Sequence, residues 1–297
     1  MGHVFAKATS ALIFSAVAMG SAGKPHIEFS AAGGTLAIFV PTRTGLVIAA
    51  DMRQSPQGVF CDGINKILVP GRPRTAVVVT GNITLQDTSN IPKAQLCDYL
   101  AKNRAPIDFG RSAREFLDST TAPFAELNWA ALTDQIYQSI VPYIKAGNLN
   151  PFFGTEIAQI IFAEFEPDTQ SSKLLSLAVN LDAAGNFTLH PVRVTAATTI
   201  RGDSFNLQSD RQILPFGEVV YYQEQVIAGV GKQFLNHDYF ELIAKSRVAD
   251  VDPGLASAAA LNLIAAASRA TEIVAARSGI GGGESAVLLC EETRVLK

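Results

Sequence analysis

Apolar residues along this chain come in short, nearly unbroken runs that turn residues interrupt. Thr35 to Val40 and Leu46 to Ala50 are rich in β-branched and large aliphatic side chains. Pro41-Thr42-Arg43-Thr44-Gly45 lies between them, so the pair reads as a hairpin with a longer loop. Lys66 to Val69 and Thr75 to Thr80 form a second predicted pair, split by Pro70-Gly71-Arg72-Pro73. The period then changes. Ala94 to Lys102, Ser112 to Leu117 and Ala125 to Ala146 are predicted helices. In the last of these Leu127, Ala130, Leu132, Ile136, Ile140, Val141 and Ile144 recur near helical spacing, while Asp134, Gln135 and Gln138 face solvent. Pro142 predicts a kink or an early end to that helix.

Strand patterns return at Glu156 to Phe165, Lys173 to Asp182 and Phe187 to Val194, with Asp182 to Asn186 as the turn between the last two. Thr195 to Phe216 has no clear period and reads as loop. Leu255 to Arg277 is alanine-rich with Leu, Ile and Val at helical intervals, and Ser278-Gly279 is a helix stop. Ser285 to Glu291 closes the chain as an apolar strand. The order is therefore strands, helices, strands, helix, strand. It predicts an α+β class in which two antiparallel sheets pack together under outer helices.

Composition narrows the function classes. The chain has 297 residues, 48% of them hydrophobic, enough for one large core. A formal charge of -3 with no basic stripe argues against nucleic acid as a partner. Residues 1 to 22 read as a secretory signal: Lys7 precedes a largely apolar stretch, and Gly20-Ser21-Ala22 offers small residues for cleavage. A helix capping the fold is the alternative, and it would leave the protein cytoplasmic rather than secreted or periplasmic. Residues 23 to 34 follow as a short leader, and 35 to 297 as a single domain. No later run has the length of a transmembrane helix. Cys61, Cys97 and Cys290 are too few and scattered for a metal cage, so neither metal nor cofactor is indicated. A Cys61 to Cys97 bridge that leaves Cys290 as a buried thiol is one option; three unpaired core thiols are the other.

The predicted strands also carry a candidate chemistry. Gly34-Thr35, Ala49-Ala50-Asp51-Met52-Arg53, Asn65-Lys66-Ile67 and Gly81 place a hydroxyl, a carboxylate and an ammonium on successive strands. In type and order these residues resemble the proteasome β-subunit family of N-terminal nucleophile hydrolases, in the form of exported bacterial proteasome-like proteins. Thr35 to Asp51 is 16 positions and Thr35 to Gly81 is 46, both as in the family pattern, whereas Lys66 falls one position early. The resemblance covers residues 33 to 82 and is architectural beyond them.

That resemblance implies a four-layer α/β/β/α sandwich and a threonine-type peptidase or amidohydrolase acting on a peptide or amide substrate. Cleavage of the Gly34-Thr35 bond would give Thr35 a free α-amine beside its own hydroxyl. Such an amine has an ordinary pKa of about 7.7 to 8.0 and serves as general base. Lys66 would lower it further, Asp51 would hold Lys66, Arg53 would brace the Asp51 loop, and the Gly81 N–H would hold the oxyanion. Two departures weigh the other way. The stretches Ala228 to Gly231 and Arg277 to Gly282 supply no late aspartate, and Ser278 is a partial substitute at most. Each residue also has a bland role: strand opener, turn acid, solvated lysine, turn glycine. A catalytically silent scaffold or binding subunit is therefore the rival expectation, and a secreted β-rich binding protein with an accidental motif is a third. A homo-oligomer is compatible with all three.

Overall fold

The computed structural model describes residues 35–86, 88, 90–145, 155–181, 187–188, 200–201, 214–217, 222–239, 241, 250–274 and 279–297. Two antiparallel sheets dominate them. The first has the order β11-β1-β2-β12-β13, built from β1 (Leu36–Thr42), β2 (Gly45–Asp51), β11 (Leu214–Gly217), β12 (Glu284–Leu289) and β13 (Arg294–Val295). The second has the order β10-β8-β7-β4-β3, with β3 (Ile67–Leu68), β4 (Thr75–Gly81), β7 (Thr155–Glu166), β8 (Ser171–Leu181) and β10 (Ile200–Arg201). A short β9 (Phe187–Thr188) pairs with β8. A small ladder joins β5 (Thr84–Leu85) to β6 (Ile107–Asp108).

Continuous rather than alternating apolar runs have a direct cause here: β1 and β2 are buried on both faces. Ala37, Phe39, Leu46, Ile48 and Ala50 point between the sheets and meet Ile67, Ala76, Val78, Ile161, Ala163 and Leu174. Leu36, Ile38, Val40, Val47 and Ala49 point the other way, onto α4 (Pro253–Val274). That helix presents Ala256, Ala259, Ala260, Ala266 and Ala267 beside Leu263 and Ile264. Its small side chains let the helix backbone lie close to the strands, which explains the alanine bias of the segment.

The outer face of the second sheet is covered by α2 (Phe109–Asp118) and α3 (Trp129–Lys145). Trp129 anchors this layer, its ring centroid 4.8 Å from that of Phe162, 5.3 Å from Phe124 and 5.8 Å from Phe116. Leu132, Ile136 and Ile140 are buried on α3, and Asp134, Gln135 and Gln138 are exposed, as the spacing predicts. α1 (Leu96–Lys102) is shorter and buries only Leu96.

Several expectations need correction. The first hairpin turns tightly at Arg43-Thr44, with Thr42 opposite Gly45, and has no five-residue loop. Pro41 is accommodated within β1, where it lies opposite Leu46. Of the two expectations for Pro142, the early end does not occur, since α3 runs through it to Lys145. The span Thr195 to Phe216, read as loop, contributes β10 and most of β11; their two- and four-residue lengths are too short to show a period. The turn Asp182 to Asn186, the rest of the strand expected to reach Val194, Ser278 and residues 1–34 lie outside the described residues. No described helix is long and apolar enough to cross a membrane.

Phe39 is fully buried between the sheets, whereas Val295 is 74% exposed at the end of the first. Phe39→Ala is therefore expected to cost about 3–5 kcal/mol in urea denaturation. Val295→Ala, the exposed control, should stay within about 0.5 kcal/mol of the parent.

Candidate active site

Antiparallel pairing places the start of β1 beside the end of β2: Ala37 lies opposite Ala50, so Thr35 and Asp51 emerge at the same sheet end. The backbone N–H of Leu36 donates to Asp51 Oδ1 at 2.9 Å, which fixes Thr35 over the carboxylate. Lys66 comes from the second sheet, one residue before β3, where its carbonyl accepts from Val79 N at 3.3 Å. Its Nζ lies 3.0 Å from Thr35 Oγ1, 3.0 Å from Asp51 Oδ1 and 2.9 Å from Asp51 Oδ2. Thr35 and Lys66 are each 1% exposed and Asp51 is 0% exposed. Three side chains 15 to 31 positions apart thus share one buried contact.

Asp51 is fully satisfied. Besides Leu36 and Lys66, it accepts from the backbone N–H of Arg53 and of Gly281, each at 3.2 Å. Burial pushes its pKa upward, against the opposing pull of the Lys66 ammonium and the N–H groups. Burial likewise pushes Lys66 down, with Asp51 opposing. The outcome is a lysine that gives up its proton more readily than a solvated one, aimed at a hydroxyl.

The supporting residues fall around this centre. The Arg53 guanidinium pairs with Asp62, Nε to Oδ1 at 2.7 Å, and lies 4.6 Å from the Phe60 ring centroid. Gly281, at φ +147°, approaches Arg53 so closely that a Cβ there would stand 2.9 Å from the guanidinium carbon. Gly217 pairs with Leu36 at φ +83°, and a Cβ on it would lie 2.1 Å from the Thr35 carbonyl oxygen and 3.3 Å from Thr80 Cβ. Gly81 ends β4 next to Thr80, at φ +76°, and so belongs to the same sheet end. Ser278 and Gly34 lie outside the described residues.

Three contributors escape sequence reasoning. Gly281 sits in a glycine run that reads as a plain turn, Gly217 follows an aperiodic stretch, and Asp62 is an ordinary loop acid until its pairing with Arg53 is seen. The glycine run before the final strand is the one signal that marks a close backbone approach. The cysteine alternatives are also resolved: Cys61 and Cys97 are bridged, with Cα atoms 5.2 Å apart. Cys290 is half-buried just past β12, not the buried strand thiol expected.

No family model matches this chain, and no curated protein matches it. Among solved structures it is similar to an Anbu (Gly-1) mutant from Hyphomicrobium sp. strain MC1, at 16% identity and TM-score 0.44, covering 89% of this chain and 86% of that one. A second Anbu structure from the same strain gives 14% identity and TM-score 0.40, covering 88% and 85%. Anbu (ancestral beta-subunit) from Yersinia bercovieri gives 12% identity and TM-score 0.42, covering 88% and 87%. These findings correct the expected place among proteasome β subunits of the exported bacterial kind: no such family model matches, and these solved structures are Anbu chains. Likeness at this level bears on neither activity nor substrate.

The coupled pair sets a pH signature. A carboxyl whose folded pKa lies above its unfolded 3.8 stabilises the fold while protonated and loses that contribution as pH rises through the folded value. Lys66→Met removes the ammonium that restrains this rise and leaves Asp51 in the interior without its ion-pair partner. The variant should be about 3–5 kcal/mol less stable than the parent near neutral pH. Urea denaturation at a series of pH values should show that deficit shrinking toward the ordinary carboxyl range.

Proposed function

We propose that this chain is a threonine-type hydrolase of amide bonds that frees its own nucleophile by cleavage between Gly34 and Thr35. One observation carries the reading: the buried Lys66 Nζ stands 3.0 Å from the Thr35 hydroxyl and is held there by Asp51. In the uncut chain the Thr35 nitrogen is an amide and cannot act as a base. Burial makes Lys66 readier to shed its proton to solvent; as the neutral amine it then accepts the hydroxyl proton while Oγ1 attacks the Gly34 carbonyl carbon. The C–N bond breaks, an ester forms on Thr35, and the proton passes to the departing nitrogen. Water then hydrolyses the ester, leaving Thr35 with a free α-amine.

Turnover repeats the same steps on an external amide. The α-amine takes the hydroxyl proton, Lys66 holds that amine near its useful range, and Oγ1 attacks the substrate carbonyl. The Gly81 N–H, at the same sheet end, receives the developing oxyanion. The ester on Thr35 is released by water that the amine activates. Arg53 and Gly281 act through Asp51.

The three apolar clusters, one between the sheets and one beneath each helical face, support a four-layer α/β/β/α sandwich formed by residues 35 to 297 as one domain. The Cys61–Cys97 bridge supports an oxidising destination, with residues 1 to 22 as export signal and 23 to 34 as leader. One observation favours a second reading, a catalytically silent scaffold or binding subunit: Thr35 is 1% exposed in the uncut chain. Cleavage distinguishes the two, because the hydrolase loses the upstream residues and the scaffold keeps them.

Intact mass of purified protein decides between them. The parent is expected to start at Thr35, and Thr35→Ala to retain its upstream residues. Identical amino termini in parent and variant would remove the hydrolase reading.

A further inference from the structure

The loop from Arg53 to Asp62 begins two residues after Asp51 and returns beside it. Across its base Arg53 pairs with Asp62. One step further out, Gln54 and Cys61 exchange backbone hydrogen bonds, N to O, at 2.9 and 2.8 Å. At its tip, Gln57 Nε2 donates to the carbonyl and hydroxyl of Thr88 at 3.0 and 2.8 Å. The only covalent attachment of this loop to another part of the described structure is the Cys61–Cys97 disulfide, which reaches α1. With Leu96 as its buried residue, α1 has little apolar hold of its own. The bridge therefore anchors loop and helix to each other.

Few atoms link this loop to the site. The Arg53 N–H donates to Asp51 Oδ2, and the Arg53 guanidinium packs against Gly281, whose N–H donates to the same oxygen. Asp51 in turn holds Lys66 on Thr35. The two sulfurs differ in access: Cys61 is 2% exposed, while Cys97 is only half-buried.

We propose that the Cys61–Cys97 disulfide is a redox lock on the Thr35 site, which stands ready for cleavage when oxidised and is slackened when reduced. This rests on the hydrolase reading above and adds its regulation. An external dithiol attacks Cys97 Sγ, the S–S bond breaks, and Cys61 leaves and is protonated. The second thiol of the reductant then displaces Cys97, so two electrons and two protons pass to the protein and the reductant becomes a disulfide. The freed loop lets Arg53 and Gly281 drift, Asp51 loses two of its backbone donors, and Lys66 no longer holds its line on the hydroxyl. The device ties self-cleavage to an oxidising compartment, so a chain in a reducing one stays uncut.

The test compares oxidised full-length protein with the same protein treated with dithiothreitol, and with the Cys61→Ser/Cys97→Ser double variant. Near-UV circular dichroism is recorded for each to confirm folding. Reduction is expected to slow the appearance of the Thr35 terminus by about tenfold to a hundredfold, the loss that follows when a catalytic group drifts by about 1 Å. It should also speed hydrogen exchange at the Arg53 and Gly281 amides. Equal cleavage rates in folded oxidised and reduced protein would overturn the lock. If the oxidised protein never yields a Thr35 terminus, it is the hydrolase reading that fails. Amide exchange, which needs no cleavage, then decides the lock: faster exchange on reduction supports it, and unchanged exchange overturns it.

Discussion

A carboxylate and an ammonium removed together from water tolerate each other only when every remaining polar valence is filled, and Asp51 and Lys66 meet that condition by recruiting four separate segments. The start of β1 gives the Leu36 N–H, the stretch after β2 gives that of Arg53, the turn before β12 gives that of Gly281, and the approach to β3 gives Lys66 itself. Breaking any of these donors leaves a buried charge short of a partner. The pair thus fixes how the two sheets meet at one end, and the position of the Thr35 hydroxyl follows from it.

The rest of the architecture supplies the conditions under which that pair is useful. Phe39, Ile48, Val78 and Ile161 exclude water between the sheets, so the dielectric around Lys66 is low. A low dielectric strengthens the attraction to Asp51 and also lowers the lysine's hold on its proton, because desolvation acts on the charged form. These two effects oppose each other in setting the lysine's hold on its proton, while Asp51 fixes where the lysine points. A solvated lysine would be free to turn away and would keep its proton, whereas this one does neither easily.

Much of this was legible in the sequence for identifiable reasons. β1, β2, β4, β7 and β8 are long apolar runs, and α3 and α4 keep a helical period over 17 and 22 residues, so pattern alone places them. Short elements carry no such pattern: β11, four residues, is recognisable only because β1 needs a partner on its outer edge. The hairpin of β1 and β2 is legible but its tight turn at Arg43-Thr44 is not, because Pro41 in a strand argues for a longer loop, yet here it is accommodated opposite Leu46. Thr35, Asp51, Lys66 and Gly81 stood out by type and order, which the strand pairings convert into proximity for the first three. Gly217, Gly281 and Asp62 did not, since each matters only through a contact with a residue far away in the chain.

Retention of such a pair also needs an energetic reason. Replacing a buried ion pair with well-packed apolar residues is often neutral or stabilising, so Asp51 and Lys66 do not hold this fold together merely by being charged. The surrounding positions already show the cheaper solution: Ala50, one residue before Asp51, and Ile67, one residue after Lys66, pack in the same interior without any polar valence to satisfy. An interior that can be built from alanine and isoleucine spends three backbone donors and a desolvated lysine at one sheet end alone. A local conflict between stability and residue choice of this kind is what the proposed hydrolase site would produce. Here it converges on the one hydroxyl that Lys66 touches.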